Sequence, residues 1–310
     1  MELHIFTEPQ QGATQGQLRE VALAAEALGF AGFFRSDHLL AIGTDPAPPG
    51  PTESWASLAD IASATTRIRL GTLMTSATFR NPGPLAVAVA QVDEMSSGRV
   101  DFGFGAGWYR AEHLAYGLSF PEVGERMERF AEQLEILRGI WGTPPGGMFS
   151  YSGRHYRLED CPALPRPVQP GGPPILIGGM GARVTPRLAA RHAREFNCAF
   201  VPLEAASSQF ARVREACERS GRDPSTMRLS MALTVACGRT EEEASRRSRA
   251  IGREYEHLRK VGLAGTPEML RDRLGELTLM GCSRAYLQVL DLGDSDHLQL
   301  LAEEVLPALF

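Results

Sequence analysis

Lysine is almost absent from this chain. Lys260 is the only one, and the other basic residues are arginines scattered among aspartate and glutamate. No basic block stands out, and the net charge is −5 at pH 7. That balance argues against nucleic acid as a partner. Long apolar runs are missing too. None reaches the roughly 18 residues of a spanning helix, so no membrane partner is expected. The N-terminal MELHIFTEP enters a strand without the basic stretch and apolar run of a leader peptide. Cysteine is sparse: Cys161, Cys198, Cys217, Cys237 and Cys282 are odd in number and form no C-x-x-C pair. They are expected to be reduced, which places the protein in the cytoplasm. The histidines show no H-x-H or H-E-x-x-H spacing, so no metal site is expected.

What the chain does have is a regular alternation of strand and helix patterns. Strands are predicted at residues 3–6, 32–35, 68–74, 100–104, 174–177, 197–201, 227–236 and 285–289. Helices are predicted between them, at 15–28, from a cap at Thr52 through 64, from Asn81 to 95, and at 122–141. Further helices are predicted at 185–192, 204–220, from 241 onward, from a cap at Thr266 through 277, and at 297–306. Eight β-then-α units over 310 residues favour a closed (β/α)8 TIM barrel over an open sheet. No break in composition divides the chain, so one domain over 1–310 is expected. Residues 142–172 are rich in proline and glycine and too long for an ordinary connection. They form an insertion before strand five, with a small hairpin at 149–156.

In such a barrel the site gathers at the C-terminal ends of the strands. Five stretches fall there. Residues 93–117, DEMSSGRVDFGFGAGWYRAEHLAYG, end a helix, run a strand, and reach the bare backbone of Gly105-Ala106-Gly107. Trp108 and Tyr109 follow, then the acid–histidine pair Glu112-His113. A backbone without side chains lets a flat ligand come close, but the same glycines would also serve a tight turn that binds nothing. Asp37-His38 ends strand two, where a histidine can donate to a ring carbonyl or move a proton near neutral pH. The same pair could instead cap and order the long loop that follows. Met74-Thr75-Ser76 ends strand three, and Phe200 lies at the end of strand six. Gly178-Gly179-Met180-Gly181 stands between strand five and a helix, with Arg183 and Arg187 nearby. Exposed N–H groups at a helix start form an anion cradle, although this is not G-x-G-x-x-G, and the P-loop pattern occurs nowhere.

MSSGRVDFGFGAGWYRAEHLAYG resembles the strand-four signature of the bacterial luciferase-like family. That superfamily includes flavin-dependent monooxygenases and oxidoreductases dependent on the deazaflavin coenzyme F420. RSDHLL, IRLGTLMTSATFRNPG, YSGRHYRLEDCPALPRPVQ and PPILIGGMGARVTPRLAARHAREFN resemble its other blocks, in order through residues 1–200. The resemblance implies a (β/α)8 barrel with an insertion before strand five, and a homodimer formed through helices beside the barrel. It implies a redox enzyme passing a hydride between coenzyme F420 and a small organic substrate, with His38 and Trp108 as catalytic candidates. The cofactor would lie against Asp37, His38, Leu73, Met74, Thr75, Gly105, Ala106, Gly107 and Phe200. Leu73-Met74 would form the bulge, often a non-proline cis peptide, behind its central ring. Gly178, Gly179, Met180 and Gly181 would hold its phosphate.

The sequence departs from the F420-dependent sugar-phosphate dehydrogenase branch, which carries a glutamate where this chain has Trp108 and uses lysines to hold its substrate. An FMN-dependent monooxygenase and a non-catalytic flavin-binding relative stay open. A Schiff-base aldolase would need a lysine at a strand end, and Lys260 lies in a predicted helix.

Overall fold

The computed structural model describes residues 1–43, 45 and 48–309. The barrel strands are β1 (Glu2–Thr7), β2 (Gly32–Arg35), β3 (Arg69–Thr72) with its short continuation β4 (Thr75–Ser76), and β5 (Val100–Gly105). After a hairpin of β6 (Phe149–Ser152) and β7 (Arg157–Cys161) come β8 (Ile175–Gly178), β9 (Glu195–Ala199), β10 (Arg228–Cys237), β11 (Leu263–Gly265) and β12 (Cys282–Gln288). The pairing runs β10-β12-β1-β2-β3-β5-β8-β9, and β9 pairs back to β10. Every pairing in this ring is parallel, so the eight strands close into a (β/α)8 barrel. β11 adds to the outer half of β10.

The helices are α1 (Gln15–Ala27), α2 (Ser54–Ala64), α3 (Pro82–Met95), α4 (Arg110–Ala115), α5 (Val123–Gly142) and α6 (Val184–His192). Then follow α7 (Leu203–Arg219), α8 (Glu241–Ala250), α9 (Tyr255–Val261), α10 (Pro267–Leu279) and α11 (Ser295–Leu300). The longer ones lay an apolar stripe on the outer face of the strands. On α1 the stripe is Leu18, Val21, Ala22 and Ala25. A second, smaller core fills the barrel interior: Phe6, Phe34, Leu73, Leu176, Ala232 and Tyr286, with Met74 packed against them.

Several boundaries differ from the sequence expectation, each for a physical reason. Thr52 is not the cap of α2, because its hydroxyl and carbonyl accept Arg35 at 2.7 and 2.8 Å. Glu53 caps the helix instead, its carboxylate accepting Ala56 N–H at 2.7 Å. The expected strand 68–74 is broken by a cis Leu73-Met74 peptide, which separates β3 from β4. β9 starts two residues early at Glu195 and ends at Ala199, while β12 starts at Cys282. The added residues Glu195 and Arg284 meet inside the sheet, with Arg284 Nη1 2.8 Å from Glu195 Oε2, so each charged side chain has a partner there. Phe200 lies past the end of β9 with φ +56°.

The hairpin extends beyond residue 156 to Cys161. It is fastened to α5 by Glu132, whose carboxylate accepts the N–H groups of Arg154, His155 and Tyr156 at 2.8–3.2 Å. The last helix begins at Ser295, where Asp294 caps it, and widens to a π-turn over Leu301–Val305. Among the described residues no helix is long and apolar enough to cross a membrane.

Candidate active site

Barrel closure brings the C-terminal ends of β2, β3, β5, β8 and β9 to one mouth. His38 stands just past β2. Its Nδ1 lies 3.0 and 3.1 Å from the two oxygens of Glu112, from the first turns of α4, and the same carboxylate accepts Leu39 N–H at 3.0 Å. Burial alone would lower the pKa of His38. The hydrogen bond and charge of Glu112, with Glu8 and Asp37 behind it, outweigh burial and raise it. The raised pKa favours the imidazolium, and Glu112 orients the ring through Nδ1. Trp108 and Tyr109 flank it edge-on, with ring centroids 5.6 and 6.1 Å away, and stack on each other at 5.2 Å. Trp108 is 61% exposed and Tyr109 is tied down through its hydroxyl to Ala41 O at 3.0 Å.

Asp37 is not a free carboxylate. Arg80 grips it with two hydrogen bonds, at 2.5 and 3.1 Å, and also holds Glu53. This clasp ties the β2 loop to the segment after β4 and to the start of α2. His113 separates from Glu112 and turns inward. Its Nε2 meets Thr78 Oγ1 at 2.6 Å, and its Nδ1 meets Tyr109 O at 2.7 Å.

The glycines of the β5 and β8 loops fall into two groups. A Cβ at Gly105 would lie 2.9 Å from Met74 Sδ, and one at Gly178 would lie 2.6 Å from Met74 Cε. The space those glycines leave is therefore filled by Met74, which the cis bulge after β3 turns into the mouth. Thr75 is consumed beneath it, its hydroxyl donating to Thr72 Oγ1 at 3.1 Å. Leu73 belongs to the interior core. Gly107, with φ +78°, makes room for Ser76 and Thr78, and Ala106 packs against the outer core. The bare backbone of this loop thus serves close packing as well as the mouth.

Gly179 is different. Its φ of +129° suits only glycine, and the direction a Cβ would take is open apart from Thr185 Cγ2 at 3.8 Å. Gln209, fully buried on α7, donates from Nε2 to the carbonyls of Gly179 and Gly181, both at 3.0 Å. The loop carbonyls are thereby held by the protein beside a helix, α6, that has no side-chain cap at its N-terminus. Met180 and Phe200 are each 41% exposed on this side of the mouth, and Arg183 and Arg187 are exposed on the same turn. An uncapped helix start beside Gly179, which faces open space, fits an anion such as a cofactor phosphate. Between the two sides, Asn197 Oδ1 on β9 is buried with no hydrogen-bond partner, an acceptor that a ligand donor or water would satisfy.

Sequence reasoning missed Glu8, Gln10, Thr234 and Gln288 at the mouth. Glu8 follows β1, whose even-numbered residues His4 and Phe6 point inward. Extending that alternation by one step would have found it. Gln209 carried no local signal, because its role depends on where α7 packs.

Residues 1–259 match the luciferase-like monooxygenase family, and the chain belongs to it. A curated F420-dependent glucose-6-phosphate dehydrogenase from Nakamurella multipartita is 30% identical over 236 residues, 75% of this chain and 67% of that relative. The chain spans about half the length of further curated relatives with the same name. Among solved structures, an F420-dependent secondary alcohol dehydrogenase in complex with an F420-acetone adduct superposes with a TM-score of 0.86 at 18% identity, covering 100% of this chain and 99% of that one. The monooxygenase RslO1 from Streptomyces bottropensis does so with a TM-score of 0.80 at 24% identity, covering 100% of both. At those identities the structures establish the shared fold.

Proposed function

We propose that the protein is an oxidoreductase that binds coenzyme F420 and exchanges a hydride with a small organic substrate. The observation that carries this is the layout of the mouth. A histidine oriented by Glu112 stands across the barrel from an uncapped helix start flanked by Gly179 and Gly181. The cis bulge at Leu73-Met74 rises between them. His38 would donate Nε2–H to a carbonyl of the ring or substrate, Met74 would back the ring, and the Gly178–Gly181 loop would hold the phosphate. Trp108 and Phe200 would cover the ring and exclude water. A bound deazaflavin supplies the two-electron chemistry; the chain supplies position, charge and dryness. The F420-dependent curated relatives support this choice of cofactor.

The test is a titration of the purified protein with F420 and with FMN, followed by absorbance and fluorescence. Saturable binding of F420 is expected. Binding of FMN alone would favour a flavin-dependent monooxygenase instead. Binding of neither would remove the reading.

The reading treats residues 1–310 as one domain, supported by strand pairing that runs unbroken from β1 to β12. It includes a homodimer, supported by the exposed Val87 and Met95 on α3 beside the barrel, and light scattering on the purified protein tests it. A cytoplasmic location is supported by the five free cysteines.

A further inference from the structure

A second cavity lies outside the barrel wall, at the same end as the mouth. β10 separates the two. Thr234 faces inward, where its hydroxyl donates to Gln288. Val235 faces outward, into a space of about 240 Å³ between α8 and the loop that joins β12 to α11. The wall of this space is apolar, built by Val235, Ala250, Ile251 and Leu290. Arg246, Arg247 and Ala250, three and four residues apart, are the face that α8 turns to it. The volume lies below the roughly 300–1,000 Å³ of sites for drug-sized ligands, so the cavity suits a small molecule.

Much of the polar surface around it is already satisfied. Arg247 gives Nε to Asp294, Nη1 to Glu243 and the Cys237 carbonyl, and Nη2 to Asp294 and Asp296, at 2.7–3.3 Å. Asp294 also caps α11, accepting His297 N–H at 2.9 Å. These bonds fasten α8 to the loop. Three groups are left over. His297 is 4% exposed, and its Nε2 accepts Cys237 N–H at 2.9 Å. Burial lowers its pKa to about 4, so the ring is neutral and its proton sits on Nδ1. That N–H has no acceptor among the described residues. Arg246 is exposed, and its nearest described carboxylate, Glu243, stands 3.8 Å away and is taken by Arg247 at 2.8 Å. Asp291 accepts Gly293 N–H through Oδ1 at 3.0 Å, and no described cation pairs with it.

Two donors, one of them a cation, and one unpaired carboxylate thus border an apolar pocket. We propose that this cavity binds a small zwitterion with an apolar body, an aliphatic α-amino acid. Its carboxylate would meet Arg246 and His297 Nδ1–H, its ammonium Asp291, and its side chain the wall of Val235, Ile251 and Leu290. A simple carboxylate would bring a second negative charge towards Asp291. A simple amine would leave Arg246 and His297 unused. A molecule with both charges satisfies all three groups. The cavity shares no residue with the mouth, so the inference stands apart from the choice of cofactor.

The experiment is calorimetric titration of the full chain with L-leucine, isocaproate and isoamylamine. The last two are leucine without its ammonium and without its carboxylate. L-leucine is expected to saturate a single site, and each analogue to bind at least about tenfold more weakly. Arg246→Gln and Asp291→Asn should each weaken leucine about tenfold. Ala250→Phe fills the cavity and should abolish binding. These three positions are exposed, so circular dichroism and melting temperature should hold in every variant. Leucine should also shift the ring nitrogens of His297 in the NMR spectrum, and F420 affinity should be the same in wild type and variants. Absence of saturable leucine binding would overturn the proposal. Isocaproate binding as tightly as leucine would overturn the zwitterion, and undiminished binding in Ala250→Phe would put the ligand elsewhere. Lost F420 affinity in Arg246→Gln would overturn the separation of cavity and mouth.

Discussion

His38 Nδ1 lies 3.0 Å from Glu112 Oε2, across 74 residues of sequence. The two side chains come from adjacent parts of the mouth, the β2 loop and α4. Glu112 fixes the orientation of the imidazole through Nδ1, and its hydrogen bond and charge raise the pKa of the ring.

Glu112→Gln should therefore lower the pKa of His38, because the acceptor loses its charge while burial remains. Proton NMR of the imidazole across pH reads this directly. His38→Ala should reduce turnover by about 100-fold with little change in melting temperature, since the ring is held at the rim and not in the core. Full activity in His38→Ala would leave the histidine a loop-ordering residue.

Arg80→Ala should destabilise the fold by about 3–5 kcal/mol, because it strands the buried Asp37 carboxylate without its partner. The Asp37 side chain is 1% exposed, so water cannot replace the guanidinium. Arg80→Lys should recover only part of the loss, since an ammonium cannot reproduce the two-pronged contact. Urea denaturation measures both.

Gln209→Leu should weaken cofactor binding about tenfold, or about 1.4 kcal/mol, with circular dichroism unchanged. The amide holds the Gly179 and Gly181 carbonyls, and leucine fills its space without replacing those bonds. This is a cleaner test of the glycine loop than valine at Gly179, whose φ of +129° would strain any side chain. An unaltered affinity would separate the loop from the cofactor.

Acid should destabilise the protein well above the range of ordinary carboxylates. Burial lowers the pKa of His4 from 6.5 to about 4, with the charge of Arg284 adding to it. The ring is neutral, so the 3.5 Å approach of Glu2 to its Nε2 is not an ion pair. The unfolded chain takes up this proton first. The contribution of His4 is therefore complete above about pH 6.5 and is lost as pH falls from there towards 4, on the order of 3 kcal/mol in all. His192 and His297, also held near 4 by burial, act in the same window. His4→Phe keeps a ring against Phe34 and Tyr286 and should flatten the dependence without abolishing it. An equal slope in wild type and variant would rule His4 out as a source.

The sequence alone determined the alternation of strands and helices, the barrel, and the five strand ends where the mouth forms. Those follow from period-two and period-3.6 apolar patterns and from glycine and proline at the breaks, all of which are local. It also pointed to His38, Met74 and Gly179 by their positions at those ends. Tertiary structure alone decided which neighbours each of them has. Glu195 and Arg284 looked like loop residues until the barrel set them 2.8 Å apart across 89 positions, where mutual neutralisation makes burial affordable. Asp37 looked like half of an acid–histidine pair until Arg80 claimed it. A charged or polar side chain takes its role from the partner that replaces its water, and that partner is chosen by the fold.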